Sequence, residues 1–360
     1  MKKLKQLLAL TLCFAALSGC GQPAASQTQD TPPAASQTAQ TRSFTDSVGR
    51  TVELPAEISK VAVTGTMAQI VVFSLAPDRM VGLSGAWEAP EYFAEQYQNL
   101  PVLGQLYGGK GEMNLEELLS AAPDVVIDVG EPKSTIVEDL DGLSQQTGIP
   151  FVHITATLET MPDAYRKLGE LLNLSDEAAV LADYCQTQYE RFQALSEKVD
   201  KKRVLYVTGE SGLNVIAKGS YHAEVLDLLT DNVAVVEEPS SKGTGNEVDA
   251  EQILKFSPDV ILFAPDAPYA TAKQLAYASV PAIANGAYYQ VPHGPYNWLG
   301  FPPSVHRYLG MLWMGTVLYP DQVDYDLYTE CAKFFELFYH TELTQEQFSA
   351  LTANSIGQQG

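Results

Sequence analysis

Residues 114–127, NLEELLSAAPDVVI, and residues 249–262, DAEQILKFSPDVIL, are two copies of one unit at a constant offset, 249 − 114 = 135, with no gap inside either copy. Each copy predicts a helix followed by a strand. The side chains of Asn114 and Asp249 suit the N-cap, where they accept free N–H groups of the first turn, and Glu117 and Gln252 stand three positions later, as in a capping box. Leu115, Leu118 and Leu119 share one helical face, as do Ala250, Ile253 and Leu254. Pro123 and Pro258 stop the helices, because proline restricts the residue before it and donates no hydrogen bond. The apolar runs after Asp124 and Asp259 read as strands covered on both faces, the pattern of parallel sheets. A period this long exceeds any solenoid repeat. It predicts an α/β fold of two similar Rossmann-like lobes with parallel-type sheets and a ligand cleft between them.

The N-terminus is read separately. Lys2, Lys3 and Lys5 precede an apolar run from Leu7 to Leu17, too short to span a bilayer and typical of a signal peptide. Leu17-Ser18-Gly19-Cys20 then resembles a bacterial lipobox, which implies a signal peptide over 1–19 and lipidation of Cys20. Residues 21–42 are Gln, Ala, Ser, Thr and Pro with almost no large apolar side chains, so 20–42 reads as a lipid-anchored flexible tether.

Charge and motif content exclude several classes. The chain carries a formal charge of −22, and removal of the three signal lysines makes it −25, which opposes nucleic acid or an anionic membrane surface as partners. Of the four cysteines, Cys13 leaves with the signal and Cys20 takes lipid, while Cys185 and Cys331 fall in helical patterns and their pairing stays open. GQLYGGKG at 104–111 approaches a phosphate loop, but Gly111 stands where the metal-binding hydroxyl is required. His153, His222, His293, His306 and His340 are scattered without helical ligand spacing, so no protein-held metal site and no cofactor is expected.

In chain order, 44–55 predicts a hairpin, 60–65 and 80–85 strands, 67–76 a buried helix, and 149–154 a further strand. Residues 158–199 look helical almost throughout, with Leu181, Cys185, Phe192, Leu195 and Val199 on one stripe. The piece from 176 to 199 would measure about 36 Å at ~1.5 Å per residue, enough to bridge two lobes. The pattern then restarts: a strand near 202–209, a helix at 221–230, a β segment at 233–236, a last strand ending near Val291, and helices within 293–320 and at about 324–340.

The duplicated unit, the opening FTDSVGRTVELP and the spine-like helix together resemble the substrate-binding lipoproteins of ABC importers for iron chelates, haem, cobalamin and related metal compounds. The segment PYNWLGFPPSVHRYLGMLWMGTVLYP (295–320) is similar to a branch that includes molybdate and tungstate binders, although members of that branch often carry Asp-Arg where this chain has Gly300-Phe301. The resemblance implies an N-terminal α/β lobe over 43–172, an interlobe helix over 173–200, a C-terminal α/β lobe over 201–342 and a tail over 343–360. It places ligand contacts in loops at strand C-termini, as open α/β sheets do generally. On those loops, and at the start of the helix that follows them, Trp87, Tyr107, Tyr296 and Trp298 offer flat faces; Lys110, Lys242, His293 and Arg307 offer positive charge; Thr66 and Glu210 complete the candidate set. Glu116 and Glu251 occupy the same position of the repeat, where related binders carry a glutamate that meets permease arginines.

The function this implies is a monomeric, extracytoplasmic receptor, anchored by lipid on Cys20, that delivers a metal chelate to an ABC permease and performs no covalent chemistry. One rival is the same receptor for an oxyanion such as molybdate or tungstate. Another is an enzyme or sensor module on paired α/β lobes, which would need a coupled acid, base or nucleophile constellation or a membrane-spanning link.

Overall fold

The computed structural model describes residues 40–107 and 112–356. Cys20, the signal segment, nearly all of the tether, Lys110 and the end of the phosphate-loop-like stretch lie outside the described residues. The N-terminal lobe contains β1 (Thr41–Thr45), β2 (Thr51–Pro55), β3 (Val61–Val63), α1 (Thr66–Leu75), α2 (Glu95–Gln98), α3 (Leu115–Ala121), β4 (Val125–Gly130), α4 (Ile136–Thr147), β5 (Phe151–Thr155) and α5 (Met161–Leu172). The long helix α6 (Ser175–Ser196) follows. The C-terminal lobe then runs through β6 (Arg203–Thr208), β7 (Asn214–Val215), α7 (Glu224–Leu229), β8 (Asp231–Asn232), β9 (Asn246–Glu247), α8 (Ala250–Phe256), β10 (Val260–Phe263), α9 (Pro281–Ala284), β11 (Tyr288–Gln290), α10 (His306–Leu318), α11 (Leu327–Tyr339) and α12 (Gln345–Leu351).

The duplicated unit builds α3–β4 and α8–β10. Asn114 accepts from the N–H groups of Glu116 and Glu117, and Asp249 from that of Gln252 at 2.7 Å. The Asn114 N–H donates to the Leu103 carbonyl at 2.7 Å, so the reciprocal arm of a capping box has no vacant donor to serve. Both helices end on a non-glycine residue in the left-handed region, Ala122 (φ 47°) and Ser257 (φ 44°), at matching positions of the repeat. Each is followed by the proline that blocks a further turn.

β3, β4 and β5 form a parallel sheet, and β6, β10 and β11 form the parallel part of the second, with β8 also parallel to β6 and β7 and β9 antiparallel. The first sheet is covered on both faces. Val61, Val63, Val125 and Ile127 enter the main core, while Ala62, Val126 and Phe151 pack with Leu118 and Leu140 under α3 and α4. α6 spans 22 residues, ~33 Å at ~1.5 Å per residue, and buries Leu181, Cys185, Phe192 and Leu195 along one side. It packs on α1 and α5 in one lobe and on α7 and α10 in the other. The main core runs without a break from one sheet to the other.

Three stretches differ from the sequence expectation. Residues 80–85 make only single bridges, Val61 with Met80 and Leu83 with Val102. The Gln69 side chain captures the Ser84 N–H at 2.6 Å and the Ser84 hydroxyl, so no ladder continues there. The β segment expected at 233–236 shrinks to β8 at 231–232, because the Asn232 side chain turns back to accept the Ala234 N–H. The expected tail contains α12, closed by a capping box between Thr344 and Gln347, and Trp313 Nε1 donates to the Ser355 carbonyl at 2.8 Å. Cys185 and Cys331 are separate buried thiols, and burial pushes both well up from the ordinary thiol range.

Candidate functional site

The C-terminal ends of β3 and β4, the segment before α7 and the loop before α10 converge between the lobes. They enclose a cavity of about 410 Å³, lined on one side by 64–68, Glu88, Gln105, Tyr107, 128–131 and Lys133, and on the other by Tyr221, His222, Ser241 and 301–303. A second cavity of about 220 Å³, lined by residues that include Thr208, Thr244, Asp266 and His293, shares Glu88 and Phe301 with the first. The two form one cleft, partitioned by those two side chains.

Its floor is polar. Asp128, 8 % exposed, accepts from the Thr64 hydroxyl, and His153 Nδ1 lies 2.6 Å from its other oxygen. An imidazole that donates there leaves Nε2 to accept from the Thr155 hydroxyl at 3.1 Å. The Asp128 carboxylate is therefore held in one orientation at the base of the cleft. Tyr107 lines the same cavity, with its hydroxyl donating to Asp139 at 2.5 Å. Burial first, and that carboxylate second, raise the Tyr107 phenol far above its usual range, while the bonds from Tyr107 and Thr135 lower Asp139.

The back of the cleft ties the lobes together. Tyr221, on the C-terminal side, donates its hydroxyl to the Ala156 carbonyl on the other. Behind its ring, at 5.1 Å, lies the Arg307 guanidinium, fully buried and ion-paired with Glu224. Glu224 also accepts the Leu158 N–H at 3.1 Å, and the Tyr308 hydroxyl donates to the Leu158 carbonyl at 2.9 Å. Burial raises the Glu224 carboxyl, and Arg307 offsets part of that rise. Across the cleft, His293 Nε2 approaches Glu88 at 3.3 Å.

Of the sequence-chosen contacts, Thr66 and Tyr107 line the main cavity and His293 lines the second. The others are placed differently. Trp87 is buried, stacked on Phe93 at 3.9 Å with Nε1 donating to the Tyr97 carbonyl. Tyr296 and Trp298 are fully buried, and Trp298 Nε1 donates to the Gly294 carbonyl. These aromatics fill the core and present no face to the cleft. Arg307 is a lobe-binding cation behind the lining. Glu210 and Lys242 are exposed and lie outside the lining, although Ser241 and Gly243 beside Lys242 belong to it. Sequence reasoning missed Glu88, Asp128, Lys133, Tyr221, His222 and Phe301. Phe301 had a legible signal: a large apolar residue between Gly300 and Pro302-Pro303 can join neither helix nor strand.

Among the described residues no group of three or more His, Cys, Asp or Glu side chains is gathered to hold a metal ion. Comparison with known proteins agrees with the geometry. The profile of a family described as periplasmic binding protein matches residues 61–293. The iron-uptake system-binding protein of Bacillus subtilis is 23 % identical over 296 residues, 79 % of this chain and 89 % of that protein. An ABC transporter solute binding protein from Sulfurospirillum deleyianum superposes with a TM-score of 0.78 at 26 % identity, covering 87 % of this chain and 99 % of the other. The molybdate periplasmic binding protein MolA of Haemophilus influenzae, solved with molybdate bound, gives a TM-score of 0.67 at 20 % identity over 84 % of this chain and 99 % of that one, a likeness of fold alone.

Proposed function

This chain belongs to the periplasmic binding protein family and is the substrate-binding protein of an ABC importer, acting outside the cytoplasm; from that premise we propose that its cleft takes a metal chelate of the iron-siderophore, haem or cobalamin class. The carrying observation is the cleft itself. Its main cavity of about 410 Å³ falls within the ~300–1,000 Å³ typical of small-molecule sites, and a second of about 220 Å³ lies beside it, sharing Glu88 and Phe301. A tetrahedral oxyanion would need a small shell of converging donors, and here the carboxylates of Glu88, Asp128 and Glu131 face the space instead. The name of the Bacillus relative points the same way.

The rest of the reading is carried by sequence position. Cys20 bears the lipid, the tether expected over 20–42 gives way to β1 at Thr41, and the chain works as a monomer that binds without covalent chemistry. The lobe boundaries at 43–172, 173–200 and 201–342 are supported by the separation of the two sheets on either side of α6. Glu116 and Glu251 dock the receptor to the permease; both are exposed in the first turn of matching helices.

A thermal-shift screen tests the ligand class. A molecule that binds only the native state stabilises it by ~2.7 kcal/mol at a hundredfold excess over Kd. Ferric siderophores, haemin or corrinoids should raise the melting temperature. A response to molybdate or tungstate alone would move the assignment to the oxyanion, and a response to zinc or manganese alone would contradict both.

A further inference from the structure

We infer that the cleft selects, within the chelate class, a complex of net positive charge with a flat or apolar face, seated on Phe301; the inference rests on the chelate reading above. Phe301 is 57 % exposed, although both cavities open onto it. Scattered apolar side chains on convex surfaces need no explanation. This one lies at the partition of a concave site, where a partner would remove it from water.

The ring is held rather than loose. It lies over Gly243, where a Cβ would meet the Phe301 ring at 2.0 Å. Its backbone is pinned from the other side: Gly300 approaches the His222 carbonyl so closely that a Cβ there would stand 2.5 Å away. The His222 imidazole contacts the Gly300 carbonyl through Nδ1 and lies 3.3 Å from the Ser241 carbonyl through Nε2. Loop 300–303 thus packs on Gly243 through the Phe301 ring and on His222 through Gly300, and one face of the Phe301 ring is left to the cleft. An aromatic seat of this kind contacts planar or apolar ligand surface without needing to be reorganised.

The charge of the walls supplies the second part. Around the main cavity the described lining sets the carboxylates of Glu88, Asp128 and Glu131 against the single ammonium of Lys133. The smaller cavity adds Asp266. Among the described residues, the other cations that would have favoured an anion are placed less favourably: Arg307 is fully buried and paired with Glu224, Lys242 lies outside the lining, and His293 at the second cavity faces Glu88 at 3.3 Å. A ligand filling the cleft sits within a Debye length, about 8 Å at physiological ionic strength, of several of these carboxylates.

Calorimetric titration of the purified full-length protein, with probes matched in shape and opposed in charge, tests this. Aquacobinamide and a cationic ferric trihydroxamate form one set; haemin, with its two propionates, and a trianionic ferric triscatecholate form the other. At least one cationic complex should bind tenfold or more tightly than both anionic ones, with affinity falling as salt rises. Glu131→Gln should narrow that ratio. Phe301→Ala, at an exposed position that the fold tolerates, should weaken the bound complex about tenfold, as expected for losing roughly half the burial of a Phe side chain. Equal or tighter binding of the anionic complexes overturns the charge inference and leaves the chelate receptor standing. Unchanged affinity in Phe301→Ala overturns the seat. Failure of every chelate to bind overturns the chelate reading and this inference with it.

Discussion

His306 should make this protein lose stability as the pH falls below neutrality, by an amount the structure sets. The residue opens α10 and is completely buried. Its Nδ1 lies 2.9 Å from the Ser304 hydroxyl and its Nε2 2.6 Å from the Tyr339 hydroxyl, and the rings of Tyr296 and Phe334 stand 5.4 and 5.9 Å away. Both nitrogens are satisfied in the neutral form, and a proton would place charge in an aromatic cage. Burial first, and the nearby His293 second, push its pKa down to about 3. In the unfolded chain the same imidazole titrates near ~6.5. Between those values the unfolded state binds a proton that the folded state refuses. The contribution is therefore complete above pH ~6.5 and is lost progressively as pH falls toward about 3. At ~1.36 kcal/mol per unit, lowering the pH from 6.5 to 5.0 removes about 2 kcal/mol. Urea titrations at pH 7.5 and 5.0, followed through the buried Trp298 and Trp313, measure it. His306→Gln cannot titrate; it should be less stable at pH 7.5, yet its loss on going to pH 5.0 should be smaller than that of the parent by about 2 kcal/mol. Groups that do not interact with His306 contribute equally in both proteins and cancel in that difference. Equal losses would refute the reasoning.

Two further outcomes follow from the proposed anchoring and docking. Cys20→Ser should leave the precursor uncleaved by lipoprotein signal peptidase and unlabelled by a fatty-acid probe, and normal labelling would disprove lipidation at that residue. The double change Glu116→Arg with Glu251→Arg should leave melting temperature and chelate affinity nearly unchanged, because exposed carboxylates contribute only ~0–1 kcal/mol to a fold. It should depress uptake and the transporter's ATPase, with partial rescue by charge-swapped permease arginines; normal transport would reduce both glutamates to first-turn helix residues.

The parts of the fold written in local pattern were legible. The caps Asn114 and Asp249, the prolines 123 and 258 and the apolar runs after them produced α3–β4 and α8–β10, because capping, helix arrest and two-sided burial are each decided within a few residues. The stripe on α6 was readable for the same reason. The site was legible as a set of loops and far less as individual residues. Trp87, Tyr296 and Trp298 had the chemistry of ligand contacts, yet each ring is taken up by long-range packing that no local pattern discloses. Arg307 was read as a ligand cation because its partner Glu224 lies 83 residues away. Asp128 was passed over since a carboxylate ending a buried strand shows its role only once Thr64 and His153 are brought beside it.

The same long-range packing limits how the receptor can move. α11 is the penultimate helix of the described chain, yet its aromatics reach the N-terminal lobe: Tyr339 against Phe73 and Phe93, and Phe338 against Tyr165. Swinging the lobes apart would expose these side chains and break the Glu224–Leu158 and Tyr308–Leu158 bonds at the back of the cleft. At ~1.5–3 kcal/mol for each large apolar side chain returned to water, uncovering Tyr339 and Phe338 alone costs about 3–6 kcal/mol. Minor states populated at 0.1–10 % lie only a few kcal/mol above the ground state. A wide hinge opening is therefore disfavoured, and capture of a ligand must be registered chiefly by the rim: the Glu88–His293 contact across the cleft and the loop that presents Phe301. Under the proposed docking, Glu116 and Glu251 then keep nearly the same separation in the empty and loaded receptor. The permease would distinguish the two states through the cleft-side loops between those glutamates, and a rim substitution such as Glu88→Gln should alter coupling to transport more than it alters docking.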